Sequence, residues 1–271
     1  MKVFLTGVNG FLGSHLARHW ASLGYEVRGA ARHTPQTEVS RALTGCDVVV
    51  HLAYDRAAGI ERNVAGVKRA FAAAAEAGVP RQIFVSSYSA RPDAVSEYGR
   101  LKYQLETFFL EQGQTVVRPG LVIGNGGLFA RNMRKILKTP LVPLLDGGID
   151  LIPVIAVEDL VLAMTILLRR ERGAYNLFNP ELIAMRRFVT EIKRASGRRA
   201  VCIGIPLSLA AGALACASRL RIPLPIDLDN LRGLKQNQKC PYASDLESLV
   251  PEYRSFESMI QAAVAADASE P

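Results

Sequence analysis

The amino terminus constrains the fold most: the apolar run Val3-Phe4-Leu5 delivers the chain into Gly7-Val8-Asn9-Gly10-Phe11-Leu12-Gly13. Glycines between a strand and a helix let the backbone turn tightly, so that an anion can approach the free N–H groups at the helix start. The helix expected over Phe11 to Leu23 ends at Gly24, where the chain must turn. Strands are then predicted at Tyr25 to Ala31, Asp47 to Leu52, Gln82 to Ser86 and Thr115 to Arg118. Helices at Asn63 to Ala77 and Tyr98 to Glu111 separate the later ones.

Continuous apolar strands alternating with helices predict a parallel sheet covered on both faces. The expected fold is therefore α/β, a Rossmann-type doubly wound sheet with a smaller C-terminal substrate-capping region. Residues 1–120 form the dinucleotide-binding core in this reading, and 121–271 a mixed region that completes the sheet and builds the substrate lobe. Past Leu121 the alternation loosens into Gly124-Asn125-Gly126-Gly127, a basic helix near Leu128 to Leu137, Gly147-Gly148, and a helix over Val157 to Arg169. No low-complexity linker divides the two parts, so the lobe is not read as an independent domain.

The net charge of +8 is scattered rather than striped, and no aromatic-interleaved basic platform is visible. That pattern suits an anionic small molecule and argues against nucleic acid. Cys46, Cys202, Cys216 and Cys240 show no paired spacing, and His15 and His19 have no acid or thiol beside them. Neither a disulfide framework nor a metal site is expected. The apolar start meets glycines too soon for a secretory signal, which favours a cytoplasmic protein. Val201 to Ser218 is uncharged but rich in Ala and Gly and broken by Pro206; a helix entered at Pro206 is expected there, not a membrane span.

Gly7, Gly10 and Gly13 are the candidate pyrophosphate cradle, with Asn9, Phe11 and Leu12 in the same turn and Leu52 and Ala53 at the end of the third strand. The second strand ends Ala30-Ala31-Arg32-His33, without the acid that would bond both ribose hydroxyls. A guanidinium pairs with a 2′-phosphate, so Arg32 favours NADP, with NAD as the alternative. Asp47 is either an adenine-side contact or a strand-start cap.

Tyr98 and Lys102 share one helix face. An ammonium beside a phenol favours the phenolate, which would draw the tyrosine toward a working acid-base range. Ser86-Ser87 closes the preceding strand at the edge where such sheets hold ligands, and a hydroxyl there can bond a reacting oxygen.

Taken in order, TGVNGFLG, DVVVHLA, NVAG, IFVSS, YGRLK, VRPGLVIG and VEDL resemble the signatures of the extended short-chain dehydrogenase/reductase family, the NAD(P)-dependent epimerase/dehydratase group. The resemblance covers about the first 180 residues. It implies a Ser87, Tyr98, Lys102 triad in which Tyr98 exchanges the substrate proton and Lys102 holds the nicotinamide ribose. The Ser-to-Tyr spacing is short for the family, which keeps Ser89 as a rival to Ser87. Leu121 stands where sugar-nucleotide members often carry Asn.

The expected function is NAD(P)-dependent hydride transfer at an alcohol or keto carbon, on a nucleotide sugar or related carbohydrate, by 4-keto reduction or epimerisation. Arg131, on the basic helix with Arg134, Lys135 and Lys138, is the candidate contact for a substrate diphosphate, though such runs are often solvated faces. A non-sugar ketone or aldehyde and a non-catalytic NADP-binding role are the alternatives. Dehydration ranks last, since no acidic pair flanks Ser86-Ser87. Residues 198–271 are expected to close over the substrate or to form an oligomer face, for example in a homodimer.

Overall fold

The computed structural model describes residues 1–31, 34–206, 208–209 and 241–269. From the amino terminus run β1 (Lys2–Thr6), α1 (Phe11–Ser22), β2 (Glu26–Ala30), α2 (Gln36–Leu43), β3 (Val48–His51), α3 (Ile60–Glu76), β4 (Arg81–Val85), α4 (Glu97–Glu111) and β5 (Thr115–Pro119). The second half supplies β6 (Leu121–Ile123), α5 (Gly127–Lys138), β7 (Leu141–Leu145), β8 (Leu151–Ile152), β9 (Val154–Ala156), α6 (Val157–Leu167), β10 (Ala174–Leu177), β11 (Ile183–Ala184), α7 (Met185–Ala195) and β12 (Val201–Ile205). A short turn of helix at Leu246–Leu249 and a last helix at Phe256–Ala268 follow.

Six parallel strands form the central sheet in the order β10-β5-β4-β3-β1-β2. The chain runs outward from β1 to β2 and then crosses back past β1 to β3. The strand order therefore reverses between β1 and β3, and the carboxyl ends of those two strands flank the crevice where such sheets bind ligands.

Strand alternation sorts the apolar residues onto two faces. Val3, Leu5, Val48, Val50, Ile83 and Val85 pack with Leu16 and Trp20 of α1 and Leu160 and Met164 of α6. On the other face Phe4 and Val49 meet Leu43, Ala73 and Ala74, and Phe84 and Val116 meet Leu101, Leu105 and Phe109. Trp20 is fully buried, and its indole N–H donates to Thr165 Oγ1 at 2.8 Å, so its one polar atom is satisfied inside the core.

Leu160, Leu177 and Leu246 share one core with Val3, and β10 completes the sheet. A smaller core joins Ile123, Phe129, Met133, Phe188, Phe256 and Ile260. The two-stranded pairs β6–β9, β7–β12 and β8–β11 lie outside the central sheet. Asp159, fully buried in the first turn of α6, accepts from the Arg254 guanidinium and from the Arg254 N–H, which ties down the segment entering the last helix.

The sequence did not announce α2, which is only eight residues long, mostly polar, and buries Leu43 alone. α3 begins at Ile60, ahead of the expected Asn63. Asn63 lies inside that helix and uses its side-chain amide to hold the preceding loop, donating to Asp55 O and Ala58 O and accepting from Asp55 N, each at 2.9 Å. Val201–Ile205 is a strand paired with β7. The helix expected beyond Pro206 lies almost wholly outside the described residues. Among the described residues no helix is long and apolar enough to cross a membrane.

Candidate active site

The glycine turn after β1 permits no side chain where it is tightest. A Cβ at Gly13 would stand 2.3 Å from Gly7 O and 2.9 Å from Val8 O, and one at Gly10 would stand 3.1 Å from Gly7 O. Gly7 adopts φ +75, a left-handed conformation that glycine takes without steric cost. Its N–H donates to Ala30 O at 3.0 Å, which joins the turn to the end of β2. α1 starts at Gly10 with neither a side-chain cap nor an acidic residue in its first turn. The N–H groups of Phe11, Leu12 and Gly13 lack intrahelical acceptors there, and they and the helix dipole favour an anion.

This turn forms one wall of an open cleft of about 470 Å³, lined by Asn9, Gly10, Phe11, Ser14, Gly126, Gly127, Ala130, Arg131 and Arg134. The opposite wall is the start of α5. Phe11 fastens the two together: a Cβ at Gly126 or Gly127 would fall 2.8 or 2.9 Å from its ring. Asn9, Gly10, Phe11 and Arg131 thus meet at one cleft, while Gly7 and Gly13 belong to the turn behind it. The Leu12 side chain packs on the core, leaving only its backbone for a ligand.

Leu52 and Ala53 lie beside the cradle. Their N–H groups donate to Thr6 Oγ1 at 3.0 and 3.2 Å, and a Cβ on Gly7 would stand 3.2 Å from Ala53. Asp47 does not join them. It precedes β3, at the opposite edge of the sheet, where its carboxylate accepts from Lys2 N at 2.6 Å and its own N–H donates to Lys2 O at 2.8 Å. A residue entering a parallel strand cannot reach a ligand at the carboxyl ends, so Asp47 has the strand-start role rather than an adenine contact. Arg32 lies outside the described residues.

The second cluster forms two strands away, about 10 Å across the sheet. Ser96 caps α4 by accepting from Gly99 N at 3.1 Å, which sets Tyr98 and Lys102 on the face toward the end of β4. Ser87 is buried, and its hydroxyl lies close enough to the Tyr98 phenol to favour the phenolate. The Ser87 oxygen accepts from Ser89 N at 3.2 Å. Lys102 is buried, and its Nζ donates to Val85 O at 2.8 Å and stands 5.8 Å from the centre of the Tyr98 ring.

The electrostatics correct one expectation. Although Tyr98 is 38% exposed as a residue, burial of its phenol end pushes the hydroxyl up to about 12, and the nearby Ser87 hydroxyl opposes this only in part. Burial also brings Lys102 down to about 8, with the Glu106 carboxylate opposing. The ammonium is engaged with a backbone carbonyl and does not pull the phenol downward. In this state the pair holds a protonated phenol beside a lysine that titrates just above neutrality.

Sequence reasoning missed Tyr54. Its ring meets Tyr98 edge to face at 5.3 Å and lies 5.9 Å from Lys102 Nζ, and both phenol rings remain more than one-third exposed. Its position directly after Leu52-Ala53 was the available signal. Glu106 and Arg118 were missed as well: Arg118 Nε and Nη2 each donate to a Glu106 oxygen at 3.0 Å, and Ser86 Oγ donates to the same carboxylate at 2.9 Å.

Comparison with known proteins agrees with this geometry. The model of the NAD dependent epimerase/dehydratase family matches residues 3–179. The chain belongs to that family. It is 30% identical over 230 residues to an uncharacterized protein of Mycobacterium tuberculosis (strain ATCC 25618 / H37Rv), covering 76% of this chain and 24% of that one. The chain thus spans about a quarter of the length of that relative. It is 26% identical over 264 residues to the 4-hydroxy-2-methyl-3-oxo-4-farnesyl-3,4-dihydroquinoline-1-oxide ketoreductase of Stigmatella aurantiaca, covering 79% of this chain and 78% of that one. Among solved structures, the UDP-glucose 4-epimerase of Thermus thermophilus, in complex with NAD, superposes with a TM-score of 0.71 at 19% identity, covering 100% of both chains. At that identity the likeness speaks for the fold.

Proposed function

We propose that this chain is an NAD(P)-dependent oxidoreductase or epimerase acting at an alcohol or keto carbon, with Ser87, Tyr98 and Lys102 at the reacting site. The observation that carries the reading is the cluster itself: a buried serine beside a phenol, with a buried lysine 5.8 Å from the centre of that ring, at the same sheet edge as a cradle that excludes side chains. The side-chain-free turn at Gly7, Gly10 and Gly13 fits a dinucleotide pyrophosphate. A bound nicotinamide dinucleotide would supply the hydride-exchanging carbon.

Tyr98, held protonated by burial, delivers a proton to the substrate oxygen in the reducing direction and recovers it in the reverse direction. Ser87 orients the phenol and bonds the same oxygen. Lys102, a short step from the phenol, stabilises negative charge that develops there and presents its remaining N–H groups to a ribose. Arg32 supports NADP as the preferred dinucleotide, by pairing with a 2′-phosphate, while NAD remains an acceptable cofactor.

For the substrate, the arginines of the cleft favour an anionic molecule, a nucleotide sugar or related carbohydrate, with Arg131 on its phosphate and Ser89 near the reacting end. A second reading, a non-sugar ketone, draws on the half-exposed rings of Tyr54 and Tyr98, on Leu121, and on the ketoreductase relative. Screening NADPH oxidation against keto-sugar nucleotides and simple ketones separates the two. Tyr98→Phe should lower turnover of the best substrate by about 10²- to 10⁴-fold while leaving NADPH binding intact. Unchanged turnover would remove Tyr98 from the chemistry.

A further inference from the structure

We propose that the buried Glu106–Arg118 pair is a positioning device for the reacting site, fixing the end of β4 through Ser86 and facing Lys102 from the next turn of α4. The proposal rests on the reading of Tyr98 and Lys102 given above.

Two consecutive residues at the end of β4 are each tied to a different residue of α4, and the next lies beside a third. Val85 O accepts from Lys102 Nζ at 2.8 Å, Ser86 Oγ donates to Glu106 at 2.9 Å, and Ser87 lies beside Tyr98. Successive side chains of an extended chain point to opposite sides, so whatever holds Ser86 back aims Ser87 forward. Glu106 is 1% exposed and cannot drift, because Arg118 grips both of its oxygens from β5 in the fork geometry of an ionised carboxylate.

Arg118 is itself held. Its Nη1 donates to Asn176 Oδ1 at 3.2 Å, and its guanidinium stacks 4.4 Å from the centre of the Tyr242 ring. Tyr242 donates from its hydroxyl to Ala90 O, and Asn176 N donates to Asp245 Oδ2 at 2.7 Å. Residues 242–245 therefore brace Arg118, directly through the Tyr242 ring and indirectly through Asn176.

The charges around Lys102 favour this role. The side chains in contact with the ammonium are the rings of Phe84, Tyr98 and Tyr54, none of which carries negative charge at neutral pH. Glu106 supplies the opposing charge. The Arg118 charge is matched by Glu106, with Asp245 and Tyr242 behind it, and Arg56, Asp55 and Glu97 act on the outer rim near Tyr54. Burial lowers the lysine, and the carboxylate one turn away keeps it protonated into the neutral range.

The test is a pH titration of the full chain labelled at lysine Cε with carbon-13, with the Lys102 resonance assigned by its loss in Lys102→Arg. In Glu106→Gln the Lys102 midpoint should move downward from that of the wild type. A folded Glu106→Gln protein whose Lys102 titrates at the wild-type midpoint overturns the proposal. Glu106→Gln leaves Arg118 buried without its counter-charge and can fail to fold; Ser86→Ala keeps the ion pair and removes only the tether. Ser86→Ala should keep its melting temperature and NADPH affinity, lose about tenfold in kcat with KM unchanged, and recover in Ser86→Thr. Wild-type kcat in Ser86→Ala overturns the proposal too. Retained turnover in Tyr98→Phe would sink the functional reading instead, and the lysine titration would still report on the brace.

Discussion

Acidification should weaken this fold through one buried residue at the end of β3, His51. It is 2% exposed on β3, with its ring edge to face against Phe109 at 5.0 Å. Gln82 Nε2 donates to Phe71 O, which leaves Gln82 Oε1 as the acceptor for His51 Nε2–H at 2.7 Å. Among the described residues His51 Nδ1 has no partner. A neutral ring tolerates that, because Nδ1 is then only an unsatisfied acceptor. Protonation would add a donor aimed at nothing and a charge with no counter-ion. Burial accordingly pulls the imidazole from 6.5 to about 4, against the weaker opposing effect of the Gln82 bond.

The sign follows from linkage. The folded value lies below the unfolded one, so between pH 6.5 and about 4 the unfolded chain binds a proton that the folded chain refuses. The stabilisation is complete above 6.5 and is lost as the pH falls through that window. At 1.36 kcal/mol per unit, lowering the pH from 7 to 4 costs about 3 kcal/mol from this residue alone. The assay is urea unfolding at pH 7, 6, 5 and 4 for the wild type and His51→Gln, which keeps a donor toward Gln82 and cannot titrate. Other carboxylates titrate in both proteins, so the informative quantity is the difference between the two curves. It should grow by about 3 kcal/mol in favour of the variant on going from pH 7 to 4. Parallel curves would refute the reasoning.

Gly13→Ala places a Cβ 2.3 Å from Gly7 O, so the turn must open; stability should fall by about 1–3 kcal/mol and NADPH affinity should drop at least tenfold by fluorescence titration. Arg254→Leu leaves the carboxylate of Asp159 fully buried without its guanidinium, which should cost about 3 kcal/mol in urea unfolding, and an unchanged midpoint would show that the pair is dispensable. Arg32→Ala should move the NADPH-to-NADH affinity ratio toward NADH by about tenfold, and a fixed ratio would remove Arg32 from 2′-phosphate recognition.

Much of the fold was legible because β1, β3 and β4 carry apolar runs and the helices between the strands end at glycines. Val3-Phe4-Leu5 and Val48-Val49-Val50, short and bounded by turn residues, read as strands buried on both faces. α2 escaped notice for the opposite reason, since eight mostly polar residues that bury one leucine offer few apolar positions to read. The sixth strand, β10, reads Ala-Tyr-Asn-Leu, and its place beside β5 depends on the path of the chain through β6 to α6 rather than on its own residues. The grouping of Tyr98 and Lys102 was readable because they share a helix face, and that of Ser87 because it follows a strand end. The high value of the Tyr98 phenol was not, because it depends on how closely its hydroxyl is enclosed.

Asp47 and Glu106 show which part of that gap was avoidable. In a parallel sheet every strand presents its last residue to the ligand edge and its first residue to the far edge. Once Asp47 was read as the opening of a strand, its distance from the cradle after β1 followed from strand direction alone, and the adenine contact could have been set aside on topology. Glu106 is different. Its place one helical turn after Lys102 is visible in the sequence, but such a pair is ordinarily a solvated helix face. What makes it part of the site is the arrival of Arg118 from β5 and Ser86 from β4, and only the sheet register, pairing Phe84 with Val116 and Val85 with Val117, brings those three residues together. Strand direction can be read from alternation, whereas the partners of a buried carboxylate come from register.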